Sequence, residues 1–477
     1  MKKIKRIIAT CLCVSLSAGF AACKSEKDGD NGELSLIWYN LGTKQSDTEL
    51  VVDEFNKRVK EKLGFTVDFQ LIDLGTYADK MNMIISSNEE YDLCFTSSWS
   101  NDFWKNAKNG AYYPLDELLK ETPALYEFIP DFAWEDARVN GEIMAVPNYQ
   151  AYTYYEAVAV PKRLAEKYNL DVNSVKTLTD LEPYLQQIKE NEPELYPLKP
   201  NNFNTFTLKY FQTGAPGVSI INEDADGKVY SFYETPEYKQ RLTLMRDYYK
   251  KGYIRPDVVS ADEEESTGVV KYGAWRIQAG PGSAAQLLQQ YGEEIIEIPL
   301  VDEVFFSGGA RATMTAIGAN SKHPKEALKL IELMNTDKDL YNLIYFGIEG
   351  KHYNKITDKT VRIVDDGGYV NGNGFAFGSQ FNSYYIEGQP ENLWEEADAL
   401  NRSTKPAFLL GFTLDTDNIK NEISNISATE KEYEYIELGA EDYEKIYEEF
   451  ISKLYSAGLE KVMDEVQRQI NEFIAEK

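Results

Sequence analysis

Histidine is almost missing from this chain, which carries two, His323 and His352, in 477 residues. A histidine-based zinc centre or a Ser-His-Asp triad therefore has little to be built from. Cysteine is nearly as scarce, at four. Cys11 and Cys13 fall inside an N-terminal leader and Cys23 stands at its end, so Cys94 is left alone in the body and no internal disulfide can form there. Cys94 sits in the apolar stretch Leu93-Cys94-Phe95, the setting of a buried strand cysteine rather than a reactive thiol. Positive charge is short as well, with 50 Lys and Arg against 78 Asp and Glu and a net charge of −28. Nucleic acid is disfavoured as a partner, since its phosphates need clustered cations, and strongly anionic polysaccharide is disfavoured for the same reason.

The one long uncharged run, Ile7 to Ala22, follows Lys2, Lys3, Lys5 and Arg6. It is short for a membrane span, which needs about 20 residues. Residues 1–22 read as a secretory signal, and Ala21-Ala22-Cys23 resembles a lipobox, so Cys23 is expected to carry lipid (palmitate) as the first mature residue. No apolar residue occurs from Lys24 to Gly32, so 23–32 is a solvated leash. The body is then expected on the outer face of a bacterial cell membrane, touching it only through the lipid.

Roughly 445 residues remain, enough for two or three domains. Leu34 to Tyr39 reads as a strand, Glu49 to Leu63 as a helix closed by Gly64, and Phe65 to Leu71 as a second strand. Tyr77 to Ser86 is a further helix and Tyr91 to Phe95 a third strand. That order predicts an α/β fold with a parallel sheet, whose ligands lie beyond the carboxyl ends of the strands. Trp38, Tyr39 and Asn40 are expected at one such end, Ser98 and Trp99 at another. A second unit has strands at Tyr154 to Val160 and Ala274 to Ile277, the latter ending in Gly280-Pro281-Gly282. Ala312 to Gly318 is another strand, Pro324 to Met334 an amphipathic helix, and Tyr443 to Glu476 is helical with a break near Gly458.

Aromatics make up 13% of the chain, including 33 Tyr. A sugar presents an apolar C–H face and a rim of hydroxyls, so its site wants aromatic platforms with polar forks at the edge. Trp38, Trp99 and Trp275 are candidate platforms, each weighed against core packing. Tyr149 and Tyr152 lie where the floor of a cleft would run, Phe375 and Asn382 flank a glycine-asparagine loop, and Arg276 is a candidate fork. Asn222, Asp224 and Asp226, with Gly227, have calcium-loop spacing, but Tyr233 stands where a bidentate glutamate belongs, and Asp226-Gly227 is equally a hairpin turn. No metal or other cofactor is expected. Carboxylates are plentiful enough that a paired-acid glycosidase stays open on counting alone.

Val139 to Pro147 is similar to the Asp-Gly-Lys-Ile-Tyr-Ala-Val-Pro approach to an interdomain crossing, and Met314 to Ala327 to the strand and helix that return from it. Both belong to the family 1 extracellular solute-binding proteins of ABC importers, the sugar-binding lipoproteins related to maltose-binding protein. Asn335-Thr336-Asp337, Gly347 to Tyr353 and the end from Gly411 through Gly458-Leu459 to Gln469 resemble its complex-oligosaccharide subgroup. The resemblance implies a two-lobed type II periplasmic-binding-protein fold with discontinuous lobes that close on ligand like a hinged clamp. One lobe is expected to hold 33–148 and 303–350, the other 149–302 and 351–440, with 441–477 as a helical segment packed on both. It implies a monomeric, non-enzymatic protein that holds an oligosaccharide and meets ABC permease subunits. A surface glycoside-processing enzyme and a peptide-binding lipoprotein are the alternatives.

Overall fold

The computed structural model describes residues 33–200, 210–221, 226–261, 269–300, 304–305 and 309–476. The leader, Cys23, the leash, Asn222 and Asp224 lie outside them.

In the first lobe, the helix Thr48–Leu63 buries Val51, Phe55 and Val59, four residues apart on one face. It stops where Gly64 takes φ 84 and its amide donates back to the Lys60 carbonyl, a left-handed cap that a side chain would strain. The chain then returns as Thr66–Ile72, parallel to Ser35–Leu41, which is itself parallel to Leu93–Thr96. Met314–Ile317 adds antiparallel to Leu93–Thr96, with Ala316 opposite Cys94, and Val146–Pro147 closes the far edge of a five-stranded sheet. More than 200 residues separate Leu93–Thr96 from Met314–Ile317 in sequence, so this lobe is discontinuous, as the family resemblance implied.

The second lobe holds a four-stranded sheet in the order Ile295–Pro299, Tyr155–Pro161, Tyr272–Ala279, Tyr196–Leu198. Val158 and Val160 pack with Leu185, Ile188, Met245 and Tyr248 on one face of it. Ala159 and Trp275 share the smaller core on the other.

Two boundaries differ from those expected. Residues 351–386 attach to the first lobe, not the second: Tyr353 packs on Phe346 at 5.8 Å, and the Tyr369 hydroxyl donates to the Ile344 carbonyl at 2.6 Å. The reason is the helix Lys338–Phe346, whose Tyr341, Tyr345 and Phe346 would otherwise face water. The C-terminal helical region begins at Lys420, earlier than expected, and runs through Lys420–Glu437, Tyr447–Ala457 and Leu459–Glu476. Its Ile426, Phe450, Val462, Val466 and Ile470 form one core with Val218, Ile220 and Tyr238 of the second lobe. Gly458, at φ 108, makes the break that the sequence marks. Among the described residues no helix is long and apolar enough to cross a membrane.

Candidate ligand-binding site

The chain leaves the first lobe at Val146–Pro147 and enters the second at Tyr155–Pro161; it returns between Ile295–Pro299 and Met314–Ile317, and departs again through the helix Leu393–Ser403. These crossings are bound to one another. Gln150 Nε2 donates to Thr313 Oγ1 at 2.8 Å. Asn401 Oδ1 accepts from the amides of Tyr152 and Thr153 at 3.0 Å each, while its Nδ2 donates to the Gln150 carbonyl at 2.8 Å. The Tyr149 hydroxyl donates to Asp398 Oδ1 at 2.6 Å. One buried asparagine thus satisfies three backbone groups of a segment that has no sheet to pair with.

The wall on the first lobe is built at the end of Leu93–Thr96. Ser97 Oγ accepts from the Ser100 amide at 2.8 Å, and Asn101, at φ 50, donates from its side chain to the Phe95 carbonyl at 2.8 Å. This tight turn lifts Ser98 and Trp99 to the surface. Trp99 is 50% exposed, yet its place is determined: Nε1 donates to the Ala312 carbonyl at 2.8 Å, and its ring meets Phe95 at 5.8 Å and Phe375 at 6.3 Å. Ser98 is fastened through its amide to the Arg311 carbonyl at 2.7 Å. An aromatic platform with open surface therefore stands directly beside the returning crossing, which Thr313 binds to the first. Phe375 is half-buried beside it, and the segment that carries it is held by Asn40, whose Nδ2 donates to the Ala376 carbonyl at 3.0 Å.

On the second lobe, Glu156 and Arg276 form an ion pair close to where the first crossing enters the sheet. Glu156 is buried, and among the described residues its Oε2 and Arg276 Nε have no hydrogen-bond partner. Burial and the Glu156 charge raise the pKa of neighbouring Tyr154. Unspent donors and acceptors of this kind are what hydroxyl groups of a ligand can satisfy.

Several expected site residues lie elsewhere. Trp38 is 1% exposed and edge-on to Phe69 at 5.0 Å in the first lobe's core. The strand runs on to Leu41, so Trp38 is mid-strand and its parity points it inward. Trp275 lies within its strand, Tyr272–Ala279, on the face covered by Leu287 and Ile295, and its ring is buried against Tyr291 at 5.2 Å. Asn40 is fully buried and structural. Tyr39 is half-buried beside Tyr91 and Glu89. Asn382 locks its loop to the helices, donating to the Asn335 carbonyl at 2.7 Å and accepting from Asn342 Nδ2 at 2.8 Å. Tyr149 and Tyr152 are buried hinge packing, 5.7 Å apart. Asp226 Oδ1 accepts from the Lys228 amide at 3.1 Å beside Gly227 at φ 59, which makes it a turn residue of the hairpin; among the described residues no three metal-ligating side chains cluster.

Gln150, Asn401, Asp398 and Glu156 were missed. Gln150 was within reach, lying between Tyr149 and Tyr152, but nothing near Asn401 in sequence hints at a partner about 250 residues earlier.

Known proteins place this geometry. The profile of the bacterial extracellular solute-binding proteins matches residues 42–341, and a domain of unknown function, DUF3502, matches 408–475. A carbohydrate ABC transporter substrate-binding protein of Streptococcus pneumoniae serotype 4 is 31% identical over 505 residues, 99% of each chain. The crystal structure of an N-glycan transport solute-binding protein from Streptococcus pneumoniae matches at TM-score 0.78 and 29% identity, covering 93% of this chain and 99% of that one. The same protein's complexes with Man1GlcNAc and Man5GlcNAc match at 0.65 and 0.62. An extracellular solute-binding protein of Bifidobacterium longum subsp. infantis has this fold at 15% identity, with TM-score 0.66 over 93% of this chain and 99% of its own. Two lobes, linked crossings and a match along the whole length lead to one assignment: the chain belongs to the bacterial extracellular solute-binding protein family, with an added C-terminal domain.

Proposed function

We propose that this protein is the extracytoplasmic receptor of an ABC importer, holding an oligosaccharide between its lobes and passing it unchanged to a membrane permease. The observation that carries the reading is Trp99, a half-exposed indole fixed by its own N–H beside the crossings. A pyranose face stacks on such a ring, and a site next to the hinge converts contact with ligand into closure. The relative's complexes with N-glycan fragments support a glycan of mannose and N-acetylglucosamine as the first ligand to try. Their lower TM-scores beside the 0.78 of the structure with no named glycan support a change of lobe arrangement on binding. We take the mature protein to be a monomer anchored through lipid on Cys23, outside the described residues.

The test is a thermal-shift and calorimetric screen of the chain without residues 1–22 against mannose- and N-acetylglucosamine-containing oligosaccharides. A ligand at 100 times its Kd adds about 2.7 kcal/mol of stability. Recovery of intact sugar after prolonged incubation supports a receptor; cleaved product supports a glycosidase. A response to peptides with none to any sugar removes the proposal. Incorporation of labelled palmitate that persists in Cys23→Ser removes the anchoring.

A further inference from the structure

A pocket of about 270 Å³ lies against the hinge and shares no lining residue with the Trp99, Phe375 and Gln150 group. Five of its eleven lining residues are aromatic. The Tyr385 and Trp394 rings lie nearly parallel, 14° apart with centroids at 6.2 Å, and Phe381 meets Trp394 edge-on at 6.2 Å and Tyr149 at 4.5 Å. Apart from Ser383 the rest is charged, and its two carboxylates are already engaged. Asp398 accepts from the Tyr149 hydroxyl at 2.6 Å and from Arg402 Nε at 3.0 Å. Glu395 accepts from the Tyr385 hydroxyl and from Lys359 Nζ at 3.0 Å, contacts that hold its carboxyl at about 2. Among the described residues, Lys338 has no carboxylate partner. It stands 4.9 Å over the Tyr384 ring, exposed to solvent, and its pKa is lowered by partial burial and by Lys359 more than Glu395 and Asp339 raise it. Three cations, Lys338, Lys359 and Arg402, face two carboxylates in the lining, so the pocket sets a net positive charge beside near-parallel aromatic rings.

We propose that this pocket is a second ligand site, separate from the cleft, for a small ring compound bearing one carboxylate, and that its occupant biases lobe closure. The coupling is geometric. Tyr149 belongs to the first crossing and Asp398 to the helix of the last, and the bond between them forms part of the pocket wall. Closure turns the crossings against each other, so a molecule seated against that bond interacts differently with the open and closed forms, which is what linkage requires. An aromatic acid and a sugar acid both offer the required chemistry.

Benzoate and glucuronate are the probes, titrated separately into the chain without residues 1–22. Saturable binding of at least one is expected, weakened about tenfold in Lys338→Gln and unchanged in Trp99→Ala. Which probe binds identifies the class. Absence of binding by both overturns the site, as does binding that Lys338→Gln leaves intact or Trp99→Ala abolishes. Small-angle scattering is expected to show a changed radius of gyration at saturation. Binding with an unchanged radius overturns the coupling to closure. Neither readout needs the cleft's own ligand to be known.

Discussion

At the scale of the residue, the tryptophans separate stability from recognition. Trp38 is enclosed by the first lobe's core, whereas half of Trp99 is open. Trp38→Ala is expected to cost about 3–5 kcal/mol, as large-to-small changes in packed cores do. Trp99→Ala is expected to leave the melting temperature nearly unchanged and to weaken glycan binding about tenfold or more, the loss typical of an aromatic anchor at a binding surface. Calorimetry on both variants, read for melting and for binding, checks the pair. Cys94 supplies a chemical control. It is fully buried, with its thiol pushed up to about 12 by burial, so little nucleophilic thiolate exists at neutral or mildly alkaline pH. Native protein is expected to resist iodoacetamide at pH near that of an ordinary thiol's ionisation, about 8.5, and to be labelled once unfolded; mass spectrometry of the two samples distinguishes them.

Among the elements, the helix Leu393–Ser403 does more than connect. Its Asn401 ties down Gln150, Tyr152 and Thr153, and its Asp398 ties down Tyr149. Asn401→Ala would strand two buried amides and a carbonyl, and leaving such groups unmet costs about 1–3 kcal/mol. The melting temperature should fall accordingly, and the radius of gyration of the unliganded protein should rise as the crossings loosen. A variant that melts normally would show that water replaces the asparagine. This element also shows what was legible in advance. Helices and strands followed from spacing: Val51, Phe55 and Val59 announce their helix, and Phe65 to Leu71 its strand. Strand ends did not, because one or two residues of further hydrogen bonding depend on the neighbouring strand. That small uncertainty moved Trp38 from an expected cleft position into a core, and Trp275 joined one because another element covers its face of the strand.

Over the whole molecule, the C-terminal domain and the second lobe share a single core. Val218, Ile220 and Tyr238 are covered by residues beyond Leu409, including Ile426, Phe450, Val462 and Ile470. The domain also reaches the first lobe, where Arg311 Nη2 donates to the Gly411 carbonyl at 2.7 Å and Lys108 pairs with Asp415. Ending the chain at Pro406 should therefore not yield a smaller binding protein. It would uncover a continuous apolar face of the kind that drives aggregation. Expression of the truncated chain is expected to give insoluble protein or a species that binds hydrophobic dyes. A soluble, cooperatively melting product would show that the second lobe is complete without this domain.

The sequence by itself determined the α/β class and the helical end, because periodicity and glycine caps are local signals of strong physical origin. The split of the first lobe was implied only by the resemblance of Met314 to Ala327 to a family's returning strand and helix. It also narrowed the chemistry, since two histidines and one body cysteine leave little from which to build metal or nucleophilic sites. Only the tertiary structure decided which tryptophan stays open, which lobe receives residues 351–386, and which side chains bind the crossings together. Which face of a strand is covered is set by elements that pack on it from elsewhere in the chain, and partners such as Asn401 and Tyr152 meet through contacts far apart in the chain. Neither depends on neighbouring residues in the sequence, so neither could be read from them.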